Sequence, residues 1–158
     1  MPGEVPPSSR AAPFDFLTTY MDMPHLPQRT QPYPYELLIG HAEEGWFRYA
    51  EHASKPYVPY VPAGWDPRPW RDPRPSFTFP TRQGWVAALG RVKAALDKYP
   101  QLGIPVNSGT KKMLLIYAWN EFGEGGIVAP TQGDKEMKLE AVRDVFGKAR
   151  GIVQPSKN

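Results

Sequence analysis

The clearest periodicity in the chain is helical. Trp85, Leu89, Val92, Leu96 and Tyr99 recur at intervals of four, three, four and three, which lines one face of a helix over residues 82–98 with Thr81 as its N-cap. A second stripe, Tyr35, Leu38, Ala42, Phe47 and Ala50, predicts a helix over 34–53. It starts on Pro34, where a missing N–H costs nothing, and Gly40 and Gly45 weaken it by roughly 1 kcal/mol each relative to alanine. A third set, Met137, Ala141, Val142, Val145 and Phe146, is capped by Asp134 and stopped by Gly147. Between the helices lie short β-prone runs. Residues 14–20 give the first strand and residues 57–62 the second, where Pro59 removes a ladder donor and marks an edge or irregular position. Residues 113–117, five apolar positions following Lys111 and Lys112, predict a strand buried on both faces, as in a parallel sheet covered by helices. The order is strand and helix three times over, with connections long enough for right-handed crossovers. That pattern predicts an α/β fold on parallel strands.

The last predicted strand runs into Trp119, Asn120, Glu121, Phe122, Gly123, Glu124, Gly125 and Gly126. Polar groups are costly inside an apolar sheet, so this segment belongs where the strand ends and the backbone turns outward. In α/β folds the carboxyl ends of the strands are where ligands bind. Glu121 and Glu124 are three residues apart. One helical turn, or a loop of similar tightness, brings both carboxylates to one face, roughly 5 to 6 Å apart at Cβ. Glycosidic chemistry that retains configuration uses carboxyl groups about 5 to 5.5 Å apart, and like charges that close push their pKa values apart into an acid and a base. The same spacing also fits a solvated polar loop capping a strand.

After the second strand comes a near repeat, Asp-Pro-Arg-Pro at 66–69 and again at 72–75, carrying Trp65 and Trp70. Proline fixes φ, so such a loop loses little entropy on ordering. It would present indoles for stacking on sugar rings and Arg68 for hydrogen bonds to hydroxyls or a carboxylate. A polyproline II stretch without a special role, and a ligand for a domain that reads proline-rich motifs, are the competing readings.

Residues 117–125, followed by Ala129, Pro130 and Thr131, resemble the W-N-E-W-x-E-G motif of the family 99-like glycoside hydrolase domains, including WbsX-type proteins found beside glycosyltransferases. Gly64, Trp65, Asp66, Pro67, Arg68 and Pro69 match a G-W-D-P-R-P segment that follows the penultimate strand of that family's barrel. The resemblance implies a (β/α)8 TIM-type barrel, of which this chain carries the last three βα units, and endo-acting hydrolysis of α-linked, mannose-type glycans. It implies catalytic roles for Glu121, assisting attack by the sugar's own 2-hydroxyl, and for Glu124, as general acid and base. Trp65, Asp66, Arg68, Trp119 and Asn120 would bind substrate, as would Tyr20, which matches a strand-end tyrosine. Phe122 replaces the usual tryptophan, and Gly123 stands where members acting on mannosides commonly carry histidine.

Composition bounds the rest. At 158 residues the chain is shorter than the roughly 250 of a whole barrel, so the first five units would come from a missing N-terminal half or another chain. A three-stranded remnant alone leaves strand edges and the inner face uncovered. The net charge of +3, from 19 basic and 16 acidic residues, is scattered and predicts no nucleic-acid partner. Cysteine is absent, which removes disulfides and thiolate chemistry. His25, His41 and His52 lack ligand spacing, so no metal is predicted, and two carboxylates need no organic cofactor. Residues 1–13 read as a proline-rich disordered lead without a signal-peptide core, 14–147 as the barrel portion and 148–158 as a tail. No run reaches the roughly 20 apolar residues of a membrane span. The expected partner is a carbohydrate. A non-catalytic glycan-binding remnant and a proline-rich interaction protein are the alternatives.

Overall fold

Apolar periodicity translates directly into the long helices. A computed structural model describes residues 13–106 and 111–147, so the predicted tail and nearly all of the predicted lead lie outside the described residues. Helix α1 is Tyr35–His52 and helix α2 is Arg82–Lys98. Thr81 caps α2 as expected, its hydroxyl accepting from the Gly84 N–H at 3.1 Å. Pro34 lies one position earlier than expected, as the N-cap of α1 with extended ψ. In helix α3, Met137–Phe146, the N-cap position is Glu136 and not Asp134, and its side chain makes no capping hydrogen bond. The Asp134 carboxylate instead accepts from the buried Lys138 ammonium at 3.0 Å, while its carbonyl accepts from the Met137 N–H.

Strand β1 is Leu17–Thr18, β2 is Tyr57–Val58 and β3 is Tyr60–Pro62. The second predicted strand is split at Pro59, which has no N–H to donate. β1 pairs in parallel with β2, Leu17 beside Tyr57. Strand β4 is Pro105–Val106, β5 is Lys111–Lys112 and β6 is Leu115–Tyr117. β6 pairs in parallel with β3, Tyr60 beside Leu115 and Pro62 beside Tyr117. Residues 57–62 therefore lie between β1 and β6. Strand alternation puts Val61 and Ile116 on one face and Tyr60, Pro62, Leu115 and Tyr117 on the other. Two antiparallel pairs were not foreseen: β4 with β5, and β7, Asn120–Glu121, with β8, Gly126–Ile127. Within the described residues the fold is thus mixed α and β, with two-stranded sheets and no closed barrel.

The core joins the helices to the strands, and residues 57–62 are buried throughout. Trp46, Trp65, Trp85, Tyr35 and Tyr57 are among its largest fully buried side chains. Three of their polar tips are satisfied on backbone: Trp46 Nε1 donates to the Tyr60 carbonyl, Tyr35 Oη to that of Pro62, and Trp85 Nε1 to that of Lys138. Tyr49 of α1 stacks on Tyr57 at 4.3 Å. Strand β6 differs from expectation. Leu115 is 40% exposed, so residues 113–117 are not covered on both sides. The loop holding Asp22 reaches Tyr60, its N–H donating to Tyr60 Oη. None of the described helices is long and apolar enough to cross a membrane.

Candidate functional site

Beyond Tyr117 the backbone passes through a cis Tyr117–Ala118 peptide into the β7–β8 hairpin. The Glu124 N–H donates to the Glu121 carbonyl at 3.2 Å, which closes a four-residue turn over 121–124. The two glutamates thus stand at the ends of a hairpin turn and not on a helical one. Gly125 has φ +74°, and a Cβ there would lie 2.8 Å from the Asp66 nitrogen, so the turn needs glycine on both counts.

The 64–69 and 117–125 segments, far apart in sequence, are held together backbone to backbone. Asp66 N–H donates to the Glu124 carbonyl at 2.7 Å, and Ala63 N–H to that of Tyr117 at 2.6 Å. A Cβ on Gly64, which has φ +150°, would stand 2.5 Å from the Gly125 carbonyl oxygen. Any side chain at position 64 would pry the two loops apart.

The carboxylates differ in surroundings. Glu124 is half-buried and accepts a hydrogen bond from Tyr117 Oη. Tyr117 Oη in turn accepts from Tyr20 Oη at 3.3 Å, the two rings meeting edge to face at 4.8 Å. Burial first, then Glu124 and Tyr20, hold the Tyr117 phenol far above its ordinary range, so it stays protonated and a donor. Glu121 is exposed and borders a cleft of about 490 Å³ whose walls include Tyr20, Tyr60, Leu115 and Tyr117.

The repeated Asp-Pro-Arg is one device used twice. Asp66 accepts from the Arg68 backbone N–H at 3.3 Å and from its guanidinium at 2.7 Å on each oxygen. Asp72 accepts from the Arg74 N–H at 2.8 Å and from its guanidinium at 2.6 to 3.1 Å. These forks hold both aspartates below the usual carboxylate range, chiefly through the side-chain hydrogen bonds. The expectation that Arg68 reaches a ligand carboxylate meets a guanidinium already engaged with Asp66. Arg74 sits over the Trp65 ring at 4.6 Å, and Glu124 is near enough to add to its charged form after Asp72 does.

Trp65 is corrected by its burial. At 1% exposed it is a core residue with no ring face open to a sugar, because it follows the strand end inward and Arg74 covers it. The open indole is Trp70, 70% exposed, carried on the 3-10 turn Arg68–Trp70 that ends at Arg71 with φ +55°. Its ring rests on Gly123, where a Cβ would come within 2.0 Å of Nε1. Trp119, Phe122 and Tyr20 are also exposed, as is Asn120. Sequence reasoning missed Tyr117, read only as a core strand residue, and Arg74. The signal for Tyr117 was its place as the last strand position before the polar turn.

Among the described residues no group of three His, Cys, Asp or Glu side chains is arranged to hold a metal ion. His41 instead faces Asp22, Nε2 to Oδ2 at 3.3 Å. Comparison of the chain with protein-family models, with curated proteins and with solved structures finds no match.

Proposed function

We propose that the chain is the C-terminal part of a carbohydrate-active enzyme, a family 99-like glycoside hydrolase built on a (β/α)8 barrel and acting on α-linked, mannose-type glycans. The observation that carries this reading is the joining of the Glu121–Glu124 turn to the 64–69 loop at the carboxyl ends of two neighbouring parallel strands. The resemblance requires both segments in one site, and chain separation alone would not bring them there.

In this reading a sugar ring lies against Trp70, with a pyranose C–H face on the open indole. Glu121, exposed at the cleft, takes the proton of the sugar's 2-hydroxyl as that oxygen attacks the anomeric carbon. Glu124 gives a proton to the departing glycosidic oxygen and then accepts one from the water that completes hydrolysis, leaving the configuration retained. Tyr117 fixes which oxygen of Glu124 faces the substrate. With position 123 filled by the Trp70 ring, the ligand meets an indole where a side chain from the turn would otherwise stand. The remaining barrel wall would come from further βα units, in the same polypeptide or another.

The test is hydrolysis of an α-mannan oligosaccharide followed by proton NMR of the newly formed anomer. Glu121→Gln and Glu124→Gln are each expected to lower kcat by at least about 10²-fold. An inverted first product rejects the mechanism. Binding that depends on Trp70 but no turnover in the parent chain leaves the glycan-binding reading, which the exposed Trp70 indole favours.

A further inference from the structure

We infer that Tyr20 and Tyr117 form a hydroxyl relay that carries protons between solvent and the Glu124 carboxyl group. In its use, though not in its geometry, the inference rests on the proposed role of Glu124 as acid and base.

Three segments converge to make the chain of hydroxyls. Tyr20 follows β1, Tyr117 ends β6 and Glu124 closes the hairpin turn. The bonds run in one direction: Tyr20 donates to Tyr117, and Tyr117 donates to Glu124. Burial also changes along it in a useful order. Tyr20 is 69% exposed and Tyr117 only 6%, so the outer hydroxyl meets water and the inner one is screened from it. Satisfying a buried phenol needs only one acceptor, such as a nearby carbonyl. Here the inner hydroxyl also accepts from an outer phenol on a separate segment, and that second bond connects it to solvent.

Transfer along the chain balances without ionising either ring in the end state. The Tyr117 O–H bond breaks as its proton passes to Glu124, the Tyr20 proton passes to Tyr117 Oη, and a solvent proton restores Tyr20. The net change is one proton taken from solvent and one placed on Glu124. Because Tyr117 is held well above the usual phenol range by burial and by its two neighbours, it acts as a conduit and not as a resting anion. Such a path matters once a glycan lies across Trp70 and the turn, since the ligand then stands between Glu124 and bulk water. Tyr20 lines the cleft that Glu121 also borders, so the relay opens on the water of that cleft.

The test uses the full chain labelled with 13Cζ-tyrosine and needs no substrate. The Tyr117 hydroxyl proton is identified by its loss in Tyr117→Phe, and its exchange with water is measured by saturation transfer. The relay predicts that Tyr20→Phe, which keeps the ring and its packing, slows this exchange by at least about tenfold, less than the ~10²–10⁴ that a positioned proton-transfer group contributes to a reaction. It also predicts that Glu124→Gln moves the resonance upfield by weakening a charge-assisted bond. Exchange that is unchanged or faster in Tyr20→Phe overturns the relay, because a packing role alone would make loss of Tyr20 open the site. An unmoved resonance in Glu124→Gln overturns it as well, and where the parent hydroxyl exchanges too fast to be seen, the relay requires that Tyr20→Phe slow it into view, a resonance still invisible there overturning it. Glycan hydrolysis by the parent chain, measured separately, judges the glycosidase reading: slowed exchange in an inactive chain keeps the relay and removes that reading.

Discussion

At the scale of single residues, glycines decide what the site can hold. Gly64 and Gly123 both oppose close neighbours, but the neighbours differ in how far they can give. A methyl group at 64 meets a backbone oxygen at 2.5 Å in a conformation with φ +150°, and neither the carbonyl nor the dihedral can relax cheaply. Gly64→Ala is therefore expected to cost roughly 1–3 kcal/mol or more, seen as a lowered denaturation midpoint. A methyl at 123 meets the Trp70 ring at 2.0 Å, and that ring is largely in solvent and can swing away. Gly123→Ala should cost under about 1 kcal/mol in stability while displacing the indole. Tryptophan fluorescence should then respond to an α-mannan oligosaccharide less than in the parent chain. Equal quenching in both would show that Trp70 does not contact the ligand.

At the scale of elements, legibility followed the strength of the local pattern. Helix α2 was readable at both ends because five apolar positions keep one period and Thr81 supplies a side-chain cap. Thr81→Ala should lower stability by about 1 kcal/mol, measurable as a shift in the thermal midpoint. Asp134 was misread as the cap of α3 because residue type alone cannot reveal that a buried lysine four residues on takes its carboxylate. Trp65 was misplaced for a similar reason. An indole after a strand looks like a ligand platform whether or not the chain turns it inward, and only the Asp72–Arg74 fork, which sets Arg74 over the ring, reveals its role. The polar turn carrying Glu121 and Glu124 was legible as the end of a strand, but the tyrosines that connect Glu124 to solvent lie 97 residues apart, beyond any local pattern. The Asp66–Arg68 fork adds a pH dependence. Since folding lowers the Asp66 pKa, its contribution is present above the unfolded value of about 3.9 and fades as pH falls below it. The loss in midpoint caused by Asp66→Asn at pH 7 should shrink toward nothing in strong acid. A difference that persists there would mean that the loop depends on Asp66 packing and not on its charge.

For the whole molecule, the decisive feature is uneven cover: β2 and β3 are buried, and β6 is partly open. Residues 57–62 are buried throughout, while Leu115 of β6 is 40% exposed beside the cleft of about 490 Å³. Among the described residues, strand β6 hydrogen-bonds to β3 along one edge, and β1 to β2. Two open parallel edges flanking an uncovered apolar recess are a template for further strands. Short strands of two and three residues contribute little stability by themselves. If the recess is the inner face of a barrel, the chain by itself should satisfy that face by self-association. The weight-average mass by sedimentation equilibrium should then rise with concentration. Leu115→Lys, which places a charge at this exposed position beside the cleft, should return the chain toward monomer while leaving its helical circular dichroism unchanged. Adding the remaining βα units as a separate polypeptide should compete with self-association and raise the unfolding midpoint, as any partner specific for the folded state does. A parent chain that stays monomeric from micromolar to millimolar concentration would mean that two short parallel strand pairs and helices α1 to α3 are self-sufficient. The glutamate turn and the Trp70 loop would then form a glycan-binding surface without a barrel around it.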